Sequence, residues 1–318
     1  MKKIFLILII SFTYSITLHA QDSSALSKQP VADSTDLFKQ LEQESKEADK
    51  SRTDYTSATF KTTRIINSHS VETTGKGILD FRISHRFGAF NDKGQLLGFD
   101  IAKMRLGFDY GITNRFMIGV GRSSRNVWQK QYDGFLKYKL LRQSKGKVNM
   151  PVSVSFMSSI MLQTDSRWKT DTIKRHYSDK LNYAFQLLIA RKFSEKTSLQ
   201  IVPTVVHQNI VSKAKDANDI YVIGFGGRQK LSKRFALSAE YYYVLPDYKP
   251  ADTHNSLSLG IDIETGGHVF QLHFTNSTGM TELPMITQTT DKWSAGGIHF
   301  GFNISRVFNI GPKKKQKE

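Results

Sequence analysis

The sequence predicts an all-β fold: a transmembrane antiparallel β-barrel of about 12 strands with a short periplasmic N-terminal extension. The prediction rests on three features of the chain. Bulky residues alternate with small or polar ones in repeated runs, each close to the length a tilted strand needs to cross a bilayer. The connections between the runs alternate short and long. An export signal precedes them all.

The alternation is plainest from Met104 to Arg122. Met104, Leu106, Phe108 and Tyr110 share one face, and Arg105, Gly107, Asp109 and Gly111 share the other. After a turn around Thr113-Asn114-Arg115, Phe116, Ile118 and Val120 oppose Met117, Gly119 and Gly121. Two period-two runs around a tight turn form a β-hairpin. Charges and glycines on one face and aromatics on the other describe a wall between lipid and a polar lumen.

In chain order, residues 1–20 form the signal: Lys2 and Lys3, an apolar stretch from Ile4 to Ile10, and a small residue at Ala20. The apolar stretch is too short to span a membrane as a helix. Residues 21–58 are a polar periplasmic extension with the composition of a disordered linker. Within it, Asp33 or Ser34 caps a short helix carrying Leu37, Phe38 and Leu41, so residues 34–49 offer a narrow face to a periplasmic partner. The stretch 60–77 alternates only briefly; it reads as an extra periplasmic strand or as a segment tucked into the lumen, and stays outside the strand count.

Twelve runs follow: Ile78–Phe87, the hairpin's two, Tyr132–Leu141, Val152–Leu162, Leu181–Arg191, Leu199–His207, Ile220–Lys230, Phe235–Val244, Leu257–Glu264, His268–Thr275 and Ile298–Phe308. Pro203 sits inside one of them and predicts a bulge. Connections centred on Asn114, Gly146, Glu195, Ser232 and Gly266 are short, whereas 88–101, 124–131, 163–179, 209–219, 245–255 and 276–296 are mostly longer and polar. Short periplasmic turns and long external loops alternate in this way in outer-membrane barrels, and an even strand number puts both ends in the periplasm. Tyr110, Phe116 and Phe235 fall at short-turn ends and Tyr132, Tyr221, Tyr241 and Tyr243 at long-loop ends, forming two aromatic girdles. The barrel domain spans 59–310, and 311–318 is a basic tail.

Composition excludes several classes. The 318 residues contain no Cys, hence no disulfide framework, thiolate metal site or cysteine nucleophile. A hydrophobic content of 39% excludes a helical membrane bundle but suits a barrel, which gives lipid only alternate strand residues. The net charge of +17 is spread along strands and loops without interleaved stacking aromatics. It matches anionic outer-membrane lipids as the partner and not nucleic acid.

The candidate functional residues are the inward charges: Arg82, Arg86, Arg105, Asp109, Lys137, Lys139, Arg228, Glu240, Asp262 and Glu264. Such charges need ion pairs or water; Arg228, Glu240 and Asp262, on successive runs, are expected to form one network. His254 and Ser256 share a lumenal face, but no third group orients them for nucleophilic catalysis, so no catalytic residue is assigned. His273 and His299 lie opposite one another if Thr275 pairs with Gly297; two imidazoles remain too few for a closed metal site. No phosphate-cradling glycine loop is present and no cofactor is implied.

The strings TRIINSHSVET (63–73), RISHRFG (82–88), LGFDYGITNRFMIGVGRSS (106–124) and YDGFLKYKLLRQ (132–143) resemble a Bacteroidota family of outer-membrane β-barrels of unknown function. The resemblance covers roughly 60–310 and implies a Gram-negative outer-membrane location; it brings no site residues. The expected role is a passive, porin-like channel or binding barrel for small hydrophilic solutes. A plugged structural barrel docking a periplasmic partner is the alternative, and an outer-membrane lipid-modifying enzyme is third.

Overall fold

The computed structural model describes residues 34–91, 98–124, 129–165, 176–211 and 213–311. The export segment 1–20, the tail beyond Gly311 and the central parts of the 88–101, 124–131 and 163–179 loops lie outside the described residues. The chain divides into two compact units, Met1–Ala48 and Asp49–Glu318. In the first, α1 (Ser34–Ser51) is the expected helix, and Leu37, Phe38 and Leu41 are all exposed on it.

The second unit is a closed antiparallel barrel of twelve strands. Two short strands stand apart from it: β1 (Thr53–Tyr55) pairs with β6 (Ser144–Gly146), inside the turn that follows β5. The wall is built of β2 (Ile78–Ala89), β3 (Ala102–Gly111), β4 (Phe116–Ser124), β5 (Gln129–Leu141), β7 (Ser153–Asp165), β8 (Leu181–Lys192), β9 (Thr197–Gln208), β10 (Asp219–Lys230), β11 (Phe235–Val244), β12 (Ser256–Glu264), β13 (His268–Thr275) and β14 (His299–Asn309). Each strand pairs with its neighbour in sequence, and β14 closes on β2 with Ile304 opposite Ile83. Closure matters because an open edge would leave backbone N–H and C=O groups unpaired in hydrocarbon.

The expected faces are observed. Phe108, Val120, Leu136, Phe185, Ile201, Phe225, Leu259 and Leu272 are exposed outward, while Asp109, Lys137, Gln186, Gln200, Glu240, Ser258 and Gln271 are buried inside. Phe116 and Tyr138 meet at a tilt at a short-turn end (centroids 6.4 Å apart), Tyr221 and Tyr248 edge to face at a long-loop end (4.7 Å).

Pro203 makes no bulge. The β8–β9 ladder runs from Gln186–Thr204 to Ile189–Ile201 in one register and skips the residues between, because proline has no N–H to donate. The wall's register shifts fall instead between Lys139 and Leu141 and between His299 and Gly301.

The lumen is not a water-filled tube. Phe60, Ile65, Ile66 and Val71 cluster with Ala190, and α2 (Glu282–Thr287), from the loop after β13, puts Leu283, Met285 and Ile286 against Met161, Val206, Val222 and Val244. The protein's core therefore sits inside its barrel.

Candidate functional site: the occupied lumen

Residues 59–76 resolve the ambiguity in favour of a segment tucked into the lumen. They form a finger that enters and leaves at the short-turn end. On the way in, Thr56 N–H donates to Gln143 O (2.8 Å) beside the β1–β6 pair; on the way out, Lys76 N–H donates to Asn114 Oδ1 (3.0 Å) and Gly77 N–H to Gly111 O (2.8 Å). Gly77 has φ +74°, and a Cβ there would stand 2.8 Å from Gly311 Cα, so only glycine fits this exit. The finger is a miniature hairpin: Ser70 N–H donates to Thr63 O (2.9 Å), Arg64 bridges His69, and Ile65 N–H donates to Ser68 O (2.9 Å) across the tip.

A buried backbone must place every N–H and C=O, and here wall side chains take the part of neighbouring strands. Lys137 Nζ donates to Thr63 O (3.1 Å) and Ser70 O (3.0 Å). Gln200 accepts from Val71 N–H (2.7 Å) and donates to His69 O (2.8 Å). Ser155 caps Val71 O (2.8 Å), Asn303 caps Ile66 O (2.9 Å) and Gln271 caps Ile65 O. With Arg86, Asp109, Glu240 and Ser258, nine of the twelve strands grip the finger through a side chain.

The tip closes around one carboxylate. Glu240, 2% exposed, accepts the backbone N–H groups of Ile66 (3.3 Å), Asn67 (3.0 Å) and Ser68 (3.0 Å), the Asn67 amide (2.6 Å) and the Ser68 hydroxyl (2.8 Å). Successive N–H groups turned to one point make an anion nest. Arg86 donates to Asn67 Oδ1 from the opposite side.

The α2 loop enters from the long-loop end. It is braced by Gln288, which accepts from Gln131 (3.2 Å) and donates to Gln163 (3.1 Å). The two obstructions meet where Glu282 Oε2 lies 3.7 Å from Arg64 NH1 and 4.0 Å from His69 Nε2, all three side chains buried. Phe135 lies against the His69 ring (centroids 4.4 Å apart) and beneath Arg64 (5.6 Å). Burial first, then Arg64, Lys137, Arg105 and Arg82, hold the His69 imidazole well below its ordinary pKa of 6.5.

All ten candidate charges point inward, with different partners. Lys139 pairs with Glu72 of the finger (2.8 Å), and Glu264 pairs with the finger's Lys61 (3.0 Å). Asp109 lies 3.3 Å from Thr63 Oγ1. Arg82 pairs with Asp80 (3.4 Å) and Arg105 with Asp133. The expected trio is broken: Arg228 binds Asp262 (3.2 Å) and Glu264, while Glu240 is claimed by the finger. The expected histidine register is two residues off. Thr275 pairs with His299 and His273 with Gly301, so the imidazoles are not opposite, and His299 binds Asp291 (3.0 Å) instead. Among the described residues no group of three or more His, Cys, Asp or Glu could hold a metal. Ser256 Oγ has no hydrogen-bond partner, so His254 does not activate it.

Sequence reasoning missed Gln200, Gln271, Asn303, Ser155 and Ser258, uncharged inward residues whose parity was right but whose partner was unforeseen. It also missed the α2 contact, although Ile220-Tyr221-Val222-Ile223 carries a signal: a strand apolar on both faces needs apolar cover inside as well as out.

The profile of a family described as "Membrane bound beta barrel domain (DUF5777)" matches residues 60–308. Comparison with curated proteins gives no match. Among solved structures, the chain is similar to the NanC porin (10% identity, TM-score 0.46, covering 72% of this chain and 98% of that one). It is also similar to the KdgM porin (11%, 0.46, 73% and 99%) and to LpxR from Salmonella typhimurium (10%, 0.36, 73% and 100%).

Proposed function

We propose a function from one premise, that this chain belongs to the membrane bound beta barrel domain family (DUF5777): it is an outer-membrane channel for small hydrophilic solutes, stoppered at rest by its own finger. Residues 1–20 direct export, short turns face the periplasm, and residues 34–49 offer a periplasmic partner a handle.

The observation that supports this reading is how the finger is held. Beside the small apolar contact of Phe60, Ile65, Ile66 and Val71 with Ala190, it is bound by hydrogen bonds and ion pairs exchangeable with water, and both its ends leave by the same mouth. Withdrawing it uncovers Arg86, Lys137, Gln200, Glu240, Gln271 and Asn303, a hydrophilic wall of mixed charge. Twelve strands enclose enough room for a passage once the filling is gone.

A second reading is favoured by α2. Its Leu283, Met285 and Ile286 lie in an apolar cluster that water does not readily replace. A permanently filled barrel would then serve as a scaffold for a periplasmic partner.

Planar-bilayer conductance separates the two. Full-length protein is expected to show rare openings, and protein lacking residues 21–77 a sustained conductance. No conductance from either form, with the barrel demonstrably folded, decides for the scaffold.

A further inference from the structure

On the outer wall, small residues interrupt the bulky surface on β10 and β11. Arg191, Leu199, Gly227 and Ala239 occupy one cross-strand row on β8 to β11: Arg191 pairs with Leu199, Leu199 with Gly227, and Gly227 with Ala239. All four stand at outward positions. Gly227 has no side chain and Ala239 only a methyl, so the surface dips there beside Leu199, Ile201 and Tyr241. The resulting groove, about 580 Å³, has Ile189, Phe193, Phe225 and Leu257 around it. It lies toward the short-turn end, since β10 ends at Lys230.

The near end of the groove is cationic. Arg191 is exposed on the lipid face, its guanidinium 5.2 Å from the Phe193 ring. The adjoining turns carry Lys196, Lys230, Lys233 and Arg234. They are tied together: Lys230 N–H donates to Lys196 O (2.7 Å) and Glu264 N–H to Arg234 O (2.7 Å). The acids nearby are already engaged, Glu195 with Lys192 (2.9 Å) and Glu264 with Arg228 and Lys61. An arginine on the lipid face is costly unless it meets a counter-charge at the interface. An apolar trough ending in a cluster of cations has the form of an acyl chain joined to a phosphate.

We propose that this groove binds an anionic phospholipid of the periplasmic leaflet, an acyl chain lying over Gly227 and Ala239 and the phosphate meeting Arg191 and the basic turns. The proposal rests on the membrane reading and on short turns facing the periplasm, and is independent of whether the barrel conducts.

The test is native mass spectrometry of the full-length protein, delipidated and then titrated with phosphatidylglycerol, phosphatidylethanolamine or phosphatidylcholine. Phosphatidylglycerol is expected to stay bound at least about fivefold more than either zwitterionic lipid. Gly227→Phe, which fills the trough, is expected to cut that retention about tenfold, and so is Arg191→Gln, with Arg191→Lys retaining most of it. Resistance of the folded barrel to heat in gel electrophoresis controls for folding, and Ala239→Met fills the groove from its other wall should Gly227→Phe misfold. Equal retention of all three lipids, or retention unchanged by the filling variants, overturns the proposal. So does a dimer whose population falls in Gly227→Phe, because the groove is then covered by a second copy of the chain.

Discussion

Asn67 joins Arg86 to Glu240 across the lumen: its side-chain amide accepts from the guanidinium with Oδ1 and donates to the carboxylate with Nδ2, the latter at 2.6 Å. The two charges stand on β2 and β11, with β12, β13 and β14 between them around the wall, and the finger tip lies between the two side chains.

Removing the carboxylate should therefore free the tip before it harms the wall. Hydrogen bonds to a buried charge contribute about 1.5–3 kcal/mol each, and donors left unpaired cost about 1–3 kcal/mol. Glu240→Ala is expected to turn the amides of Ile66, Asn67 and Ser68 from protected to readily exchanging in hydrogen–deuterium exchange, with the strand amides unchanged. Equal protection in the variant would show that the nest does not hold the finger.

Acid should loosen the finger. His69 is held neutral by burial and by Arg64, Lys137, Arg105 and Arg82, with the Glu282 carboxylate 4.0 Å away. A released finger binds a proton near pH 6.5, the seated one only well below it. The seated state is fully stable above about pH 6.5 and loses about 1.4 kcal/mol per pH unit below that, until the buried ring itself protonates. Proteolysis at residues 59–76 should accelerate between pH 7 and pH 5, and His69→Gln should flatten the profile. An identical acid response in His69→Gln would sink this assignment.

The two faces of β12 should respond differently. Leu259 is 46% exposed to lipid, and Leu259→Arg near the midplane should cost about 2–4 kcal/mol of barrel stability. Ser258, fully buried, accepts from Asn67 (3.1 Å) and donates to Thr275 (2.9 Å). A wet lumen would tolerate Ser258→Arg; this occupied one should not. Heat-resistant barrel with a protease-sensitive finger is the expected result, and a protected finger would show that the tip can share its space with a guanidinium.

Sidedness is testable directly, since the chain lacks cysteine. Lys249→Cys should react with an impermeant maleimide on intact cells, and Lys233→Cys only after the outer membrane is opened. Labelling of position 233 on intact cells would reverse the topology, and with it the leaflet that the lipid groove faces.

The wall could be read from sequence because lipid imposes period two on every strand: Met104 to Tyr110 announces its outward face without knowledge of any partner. The finger could not. Its Thr, Ser and Asn residues show no period, because what satisfies them is a set of side chains contributed by nine strands across a closed cylinder. Parity placed Glu240 on the inner face, but proximity along the strands suggested Arg228 as its partner, and only the folded tip reveals a better one. The His273–His299 register failed for another reason: it depended on how a long loop containing α2 returns to the wall.

The finger also precedes every strand of the wall in the chain, while the seam that closes the cylinder joins β2 to β14. Both its ends leave by the short-turn mouth, so it lies in the cylinder as a hairpin and not as a thread through it. Once it is seated, each inward Gln, Asn, Lys or Glu that meets a carbonyl or amide of the finger fixes the height of its own strand. A slip of one residue would turn those side chains outward into hydrocarbon and leave the finger's backbone unpaired, so the seated finger and the register of the wall specify each other.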